Sequence, residues 1–154
     1  MDKTLELELI RVETLADWEI CRSIRKAELH DARGRSDMYV ENKTGDHDVC
    51  NETYIARLGG VPVGTIRSDY IAGSRCCIRQ MAVVADYHGR SIGSRLVSFV
   101  EKRARIANKR MLVVNAALSA VGFYERLGFI ASVWDADDIR GYENEAIQMI
   151  KSLA

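Results

Sequence analysis

The stretch that most constrains the fold runs from Gln80 to Ser98. It begins with an apolar, largely β-branched run, Met81 to Ala85, which predicts a buried strand. A polar turn with two glycines follows, and a helical pattern begins at about Ser91. Small residues at the start of a helix leave backbone N–H groups free to face an anion, and the helix dipole adds partial positive charge there. The stretch therefore predicts either an anion-binding turn or an ordinary strand-to-helix connection.

The composition is typical of one soluble globular domain. The 154 residues are 47% hydrophobic and 29% charged, with 22 acidic and 22 basic side chains. No basic surplus indicates nucleic acid, no apolar run reaches the length of a membrane span, and the first residues lack the order of a signal peptide. We therefore expect a single domain over residues 1–154, located in the cytoplasm, with no nucleic-acid or membrane partner.

The four cysteines, Cys21, Cys50, Cys76 and Cys77, do not form a Cys-x-x-Cys pair. Metal-ligand spacing is therefore missing, and a disulfide framework is unexpected without a secretion signal. The sequence predicts no metal site and reduced thiols that are mostly buried.

The chain before this stretch predicts a strand, a helix, a long connection and three antiparallel strands. The first strand covers Leu5 to Ile10, and a helix follows from about 15 to 29, capped by Thr14 with Asp17. Its buried face is predicted to hold Ala16, Ile20, Ile24 and Ala27, with Trp18 on the opposite face. A hairpin is predicted at residues 53–71, turning on Gly59-Gly60, and the next strand at residues 74–84.

Residues 30–52 are polar and show no clear period. The pattern predicts a long connection that is partly helical at about 33–41. Such connections are either functional loops or solvated ones, and its acidic side chains are compatible with a cationic substrate.

After the opening stretch, the chain predicts a parallel strand pair and a strand-rich end. The helix from about 91 to 107 leads to a continuous apolar run, Met111 to Val114, which predicts a buried strand parallel to the one before the helix. A short helix at 120–127 ends at Gly128, and two further strands are predicted at 129–133 and 146–150.

Two motifs in this order resemble those of the GCN5-related N-acetyltransferase (GNAT) superfamily. One is Met81-Ala-Val followed by His88-Gly-Arg-Ser-Ile-Gly93, similar to the acetyl-CoA pyrophosphate loop of that family. The other runs from Val114 to Phe129 and contains Phe123-Tyr124-Glu-Arg-Leu-Gly-Phe. The resemblance covers nearly the whole chain. It implies an α/β (α+β) fold with a mixed, mostly antiparallel seven-stranded sheet, a splayed parallel pair formed by the fourth and fifth strands, and helices on both faces.

The chain departs from the family pattern at two positions of the loop. His88 stands where the family has Gln or Arg, and Ser91 stands where it usually has Gly. We expect Ser91 to close the loop with a negative φ, and we expect His88 to make a structural or weak phosphate contact rather than act as a base.

The resemblance implies transfer of an acetyl group from acetyl-CoA to a primary amine by direct attack in a ternary complex. It implies that the pantetheine arm of acetyl-CoA pairs with the backbone of Met81 to Val83, and that the Val83 N–H stabilises the oxyanion of the tetrahedral intermediate. Tyr124 would be the catalytic proton donor to the CoA sulfur. The residues implied to bind acetyl-CoA are Met81, Ala82, Val83, His88, Gly89, Arg90, Ser91, Ile92, Gly93, Ser94 and Asn115.

The general base is left open by the sequence. No carboxylate lies on the run from Cys76 to Val83, where many family members carry one. The candidates are Glu41, Asp48, Glu52 and Glu145, acting directly or through water. A covalent route through Cys76 or Cys77 is disfavoured, because neither has a histidine neighbour in the sequence.

Two alternatives to this activity stay open. One is a non-catalytic acyl-CoA-binding or regulatory module, and the other is an acyltransferase with a different acyl donor or acceptor. The acceptor is expected to be a small-molecule or peptide amine, and the acidic segments 41–52 and 135–145 favour a cationic one. Dimerisation is common in the family, so the resemblance also allows a homodimer.

Overall fold

The computed structural model describes residues 6–30 and 45–153. The strands are β1 (Leu7–Arg11), β2 (Asn51–Leu58), β3 (Val61–Ile71), β4 (Arg75–Val83), β5 (Met111–Ala117), β6 (Ile130–Ala131) and β7 (Ala146–Ser152). The α-helices are α1 (Leu15–Arg25), α2 (Ile92–Ile106) and α3 (Val121–Arg126). A π-helical turn, Lys26–His30, extends α1, and 3₁₀ turns occupy Ala85–Tyr87, Leu118–Ala120 and Ala136–Ile139.

The seven strands form one mixed sheet in the order β1-β2-β3-β4-β5-β7-β6. β4 and β5 are parallel, with Arg75 to Ile78 in register with Met111 to Val114. The pairs β1–β2, β5–β7 and β6–β7 are antiparallel. These observations confirm the predicted fold class, including the parallel β4–β5 pair.

The chain divides into two compact units. The first takes in the described residues up to Ser68 together with Gln80–Leu96, and the second takes in Asp69–Arg79 together with the described residues from Val97. The expectation of one domain stays a prediction.

In the first unit, the start of α1 is as predicted, and its buried face is as predicted only in part. Thr14 accepts a hydrogen bond from the Asp17 N–H at 3.1 Å, and the Asp17 carboxylate accepts from the Thr14 N–H, which completes a capping box. The predicted position of Trp18 on the face away from the core is wrong. Trp18 is buried and packs in one cluster with Val12, Cys21 and Ile55. The predicted burial of Ile24 is confirmed and Ile20 packs against this cluster, whereas Ala16 and Ala27 are exposed. A residue three positions after another shares its helix face, so Cys21 is buried beside Trp18.

The β2–β3 hairpin is confirmed. Gly59 and Gly60 both have positive φ, 58° and 81°, which suits the two-residue turn that the glycine pair predicts. Further along β3, Gly64 lies against β4 with no room for a side chain, since an added Cβ would be 2.9 Å from the Ala82 carbonyl oxygen.

In the second unit, β6 is shorter than the predicted 129–133. The N–H groups of Trp134 and Asp135 both donate to the Gln148 side-chain oxygen at 3.0 Å. The Ser132 N–H still donates to the Gln148 carbonyl of β7 at 3.0 Å, so the chain leaves the β7 backbone after Ser132 and before these two residues. The α3 helix ends as predicted at Gly128, which has φ 95° and donates its N–H to the Glu125 carbonyl.

Three of the four cysteines are buried and Cys50 is exposed, and all four are free thiols, as predicted. The predicted helix at about 33–41 lies outside the described residues. Within residues 6–30 and 45–153, no helix combines the length and apolar character needed to cross a membrane.

Candidate functional site

The predicted anion-binding loop lies in the first unit, between β4 and α2. The chain leaves β4 at Val83, and the Val84 N–H donates to the Val63 carbonyl of β3 at 2.9 Å. The Glu28 carboxylate accepts a hydrogen bond from the Ala85 N–H at 3.2 Å, which fixes the start of the 3₁₀ turn. Both contacts attach the beginning of the loop to neighbouring elements.

The loop turns into α2 through two residues with left-handed backbone. Gly89 has φ 77° and Ser91 has φ 61°, so the expected negative φ of Ser91 is wrong. The Ser91 carbonyl accepts hydrogen bonds from the Arg95 N–H and, at 2.9 Å, from the Ser94 hydroxyl. These bonds require the Ser91 carbonyl to point along α2, and the backbone conformation of Ser91 provides this. The position therefore has the conformation that favours glycine, and serine holds it at a cost of about 1 kcal/mol.

This geometry leaves the first turn of α2 directed at the loop. The first N–H groups of a helix have no carbonyl partner within it, and α2 is 15 residues long, so its dipole reinforces them. A Cβ at Gly89 would meet no atom within 4 Å, so the loop is open at that point. The loop thus meets the requirements for holding a phosphate group.

His88 makes a structural contact. Its Nε2 lies 2.7 Å from the Val83 carbonyl oxygen, as a donor in the tautomer that carries the proton on Nε2. This bond ties the exposed loop to the end of β4. It matches the structural alternative expected for His88.

The backbone of β4 is irregular before the predicted pantetheine segment Met81–Val83. Gln80 has φ 48°, and its carbonyl accepts from the Thr65 hydroxyl at 3.4 Å. A left-handed residue within a strand interrupts its regular pleat. The segment that follows packs on Gly64 of β3, as described above.

Tyr124 lies in the second unit, on α3. Its ring is 4% exposed and makes edge contacts with Phe123 and Phe129, at centroid distances of 5.0 and 5.2 Å. Burial, with a smaller effect of the Cys77 thiol, raises the pKa of the Tyr124 hydroxyl above its ordinary value. The hydroxyl makes no hydrogen bond within the described part of the chain, so its proton is not engaged there.

The side-chain amide of Asn115 is fully engaged in the second unit. Its Nδ2 donates to the Asp138 carboxylate at 2.7 Å, and its Oδ1 accepts from Gln148 Nε2 at 3.0 Å. The predicted role of Asn115 in binding acetyl-CoA stays a prediction. Because the side chain is paired within the protein, the backbone of Asn115 would be the group that contacts acetyl-CoA.

An ion-pair network surrounds Arg79 and was not predicted from the sequence. Its guanidinium donates two hydrogen bonds to the Asp138 carboxylate, at 2.5 and 2.8 Å, and one to Asp69 at 3.2 Å. The bonds to Asp138 raise the pKa of Arg79 and hold the pKa of Asp138 below its ordinary value. One signal was available, since Arg79 interrupts the apolar β4 run at the place where the carboxylate was sought.

The candidate bases stay predictions. Asp48 is exposed in the turn before β2, Glu52 pairs with Arg11 at 3.0 Å, and Glu145 is exposed before β7. Glu41 lies outside the described residues. Burial raises the pKa of the Cys77 thiol to about 12, which keeps it protonated at neutral pH and agrees with the disfavoured covalent route. Among the described residues, no cluster of His, Cys, Asp and Glu could hold a metal ion.

The model of the acetyltransferase (GNAT) family matches residues 15–129, which is more than half of the chain. The chain therefore belongs to the GNAT acetyltransferase family. A search of curated proteins found no significant match.

Solved structures show the same fold at low sequence identity. A Lactobacillus plantarum protein assigned as an N-acetyltransferase has a TM-score of 0.78 and 23% identity, covering 96% of this chain and 99% of its own. PaiA N-acetyltransferase from Thermoplasma acidophilum, in complex with coenzyme A, has a TM-score of 0.74 and 14% identity, with 96% and 99% covered. The Escherichia coli ribosomal-protein-S18-alanine N-acetyltransferase has a TM-score of 0.71 and 15% identity, with 97% and 95% covered.

Proposed function

We propose that this protein transfers an acetyl group from acetyl-CoA to a primary amine, by direct attack while both substrates are bound. The observation that carries the proposal is the loop from His88 to Ser94, in which two left-handed residues lead into the start of a long helix. Family membership and the coenzyme A complex of the similar Thermoplasma protein support the same donor.

The loop would bind the pyrophosphate of acetyl-CoA. Its donors are the backbone N–H groups at the start of α2, which carry partial positive charge at no cost in side-chain ordering. The side chains take a secondary part, because the Ser94 hydroxyl and the His88 ring already bond to the loop backbone. Affinity should therefore depend on the shape of the loop more than on its side chains.

The segment Met81–Val83 would pair with the pantetheine arm, and the Val83 N–H would stabilise the oxyanion that forms at the thioester carbonyl. The amine nitrogen forms a bond to the carbonyl carbon, the C–S bond breaks, and the electron pair leaves with sulfur. Holding both substrates together makes this attack effectively intramolecular. An acceptor that binds as an ammonium gives up two protons, one before the attack and one from the nitrogen after the N–C bond has formed. Both are taken by solvent or by a carboxylate among the candidate bases.

Tyr124 would donate its proton to the departing sulfur. Its raised pKa keeps the hydroxyl protonated at neutral pH, as a donor requires. The absence of a hydrogen-bond partner among the described residues leaves the proton available. The proton is regained from solvent after the CoA thiol leaves.

The test is the release of CoA thiol from acetyl-CoA on addition of a panel of primary amines. We expect turnover with at least one amine, and Tyr124→Phe should lower kcat by about 10²–10⁴. Folding stability should hardly change, because the hydroxyl has no internal partner in the described chain. Phe123→Tyr is the matched control, which adds a hydroxyl one residue away without replacing the donor.

A second variant tests the loop. Ser91→Glu places a negative charge where the phosphates would bind, and we expect it to weaken acetyl-CoA affinity by at least about tenfold. Tight acetyl-CoA binding with no turnover on any amine, and no effect of Tyr124→Phe, would instead indicate the non-catalytic acyl-CoA-binding module.

A further inference from the structure

A groove of about 540 Å³ lies wholly within the second unit. Its walls come from β6 and the residues just after it, from the 3₁₀ turn Ala136–Ile139, and from the start of β7. The volume is in the range of small-molecule sites. No step of the proposed reaction has used this groove.

Most side chains that line the groove are apolar, and several are open to solvent. Val133 is 76% exposed and Ile147 is 38% exposed, while Ile139 is 9% exposed. The buried amide of Gln148, which also lines it, is fully occupied: its oxygen accepts from Trp134 and Asp135 N–H groups, and its nitrogen donates to Asn115 and Asp135. An apolar ligand body therefore suits these walls.

Glu143 is the charged side chain that lines the groove. One of its oxygens, Oε2, accepts a hydrogen bond from the Gly141 N–H at 2.9 Å. Hydrogen bonds from its own N–H and from that of Gly141 lower the pKa of Glu143, so it is ionised at neutral pH. The groove thus offers a negative charge next to an apolar surface.

One wall of the groove is held in place by the ion-pair network. A 3₁₀ turn has three residues per turn, so Ala136 and Ile139 share the face that lines the groove. Asp138, between them, is held by the two hydrogen bonds from Arg79 and by Asn115. The network therefore fixes the wall.

We propose that this groove binds the acceptor, and that the acceptor is a small primary amine with an apolar chain or ring. The proposal rests on the proposed acetyl transfer. The Glu143 carboxylate complements an ammonium group, and the apolar walls complement the body of such a molecule. Gln148 links the groove to Asn115, the residue that the resemblance assigns to acetyl-CoA binding.

The experiment measures binding of phenethylamine to the full chain without acetyl-CoA, by isothermal titration, with 2-phenylethanol as the neutral counterpart. The apolar wall is tested with Ile147→Thr, and Ile130→Thr is its control, because Ile130 is 63% exposed on β6 and does not line the groove. The charge is tested with Glu143→Gln, and Asp137→Asn is its control, because Asp137 pairs with Arg140 outside the groove.

We expect Ile147→Thr to weaken phenethylamine binding about fivefold. We expect Glu143→Gln to weaken it roughly threefold to fivefold and to abolish the preference over 2-phenylethanol. Both controls should stay within about twofold, and the Kd for acetyl-CoA should not change in any variant.

Equal binding of the two probes, or equal effects in test and control variants, would overturn the groove assignment. A dimer in solution that covers Ile147 would overturn it as well. Acetyl transfer to amines that both test variants leave unchanged would refute the groove and keep the proposed function. Amine binding that follows the predicted pattern with no transfer to any amine would refute the function and keep the site.

Discussion

Gly64→Ala is the substitution that most sharply tests the packing beneath the predicted pantetheine segment. A Cβ at this position would lie 2.9 Å from the Ala82 carbonyl oxygen, 3.4 Å from Leu96 Cδ1 and 3.7 Å from Val83 Cα. Ordinary contact begins at 3.4 Å, so the first of these distances is too short by about 0.5 Å. The atom in the way belongs to backbone, which cannot rotate aside as the end of a flexible side chain can.

Two opposing effects set the size of the change. Replacing glycine by alanine reduces the freedom of the unfolded chain and by itself stabilises a protein by about 0.4–1 kcal/mol. Forcing a methyl group into a packed region costs about 1–3 kcal/mol. Because the obstacle is backbone, we expect the cost to win, with a net loss of about 1–2 kcal/mol in the free energy of unfolding.

Gly122→Ala is the matched control. Gly122 lies in α3, and its added Cβ would be 3.5 Å from Arg126 Nη1, an ordinary contact with the end of a flexible side chain. Alanine is favoured over glycine in helices by roughly 0.5–1 kcal/mol. The same substitution should therefore stabilise the protein at position 122 and destabilise it at position 64.

Urea denaturation of both variants measures these changes, and titration with acetyl-CoA adds a functional measurement. A shift of Ala82 should disturb the pairing of Met81–Val83 with the pantetheine arm, and losing one hydrogen bond there corresponds to about a fivefold to tenfold rise in Kd. If Gly64→Ala were as stable as the unmodified protein and bound acetyl-CoA equally well, the close approach of β3 to Ala82 would be refuted.

Three further predictions concern the loop, a buried ion pair and pH. Ser91→Gly removes about 1 kcal/mol of strain, because glycine holds a φ of 61° without strain, but it loses about 0.4–1 kcal/mol through the freer unfolded chain. We expect a net gain of at most about 0.6 kcal/mol, and a Tm in calorimetry that falls by more than about 1 °C would contradict this. Asp46→Asn should lower the free energy of unfolding in urea by about 3–5 kcal/mol, because the Asp46 carboxylate pairs with the buried Arg25 and Arg67 at 2.8 and 3.0 Å. The control Asp48→Asn changes an exposed side chain and should stay within about 0.5 kcal/mol. Arg79 lowers the pKa of Asp138 in the folded state, so the resulting stability is present above the unfolded pKa of about 4 and is lost as pH falls through the folded pKa. Arg79→Met should therefore flatten the decline of folding stability below about pH 4, and an unaltered decline would show that the pair adds nothing.

Local signals in the sequence predicted the order of the strands along the chain, the parallel pair and most turns. Gly59-Gly60 and Gly128 need backbone conformations that only small residues adopt readily, and Thr14 with Asp17 forms a cap across three residues. Such features depend on a few neighbours, so they can be read without the fold. The family motif predicted where the loop from His88 to Gly93 lies in the chain, between a strand and a helix.

What could not be predicted depends on distant contacts. Arg79 and Asp138 are 59 positions apart, and neither residue by itself indicates the other. The predicted position of Trp18, away from the core, is wrong for a related reason. Trp18 is buried because it packs in one cluster with Ile55 of β2, which is distant in the sequence. Ser91 was assigned the wrong φ because the residue type favours one conformation, while the turn into α2 demands another.

The measurement that tests the account most directly is product analysis after incubation with acetyl-CoA and phenethylamine. Mass spectrometry should detect N-acetylphenethylamine in amounts equal to the CoA thiol released, and Tyr124→Phe should slow its formation by about 10²-fold or more. Acetyl-CoA bound tightly at the His88–Ser94 loop, with no N-acetyl product from phenethylamine or any other amine of the panel, would contradict the account.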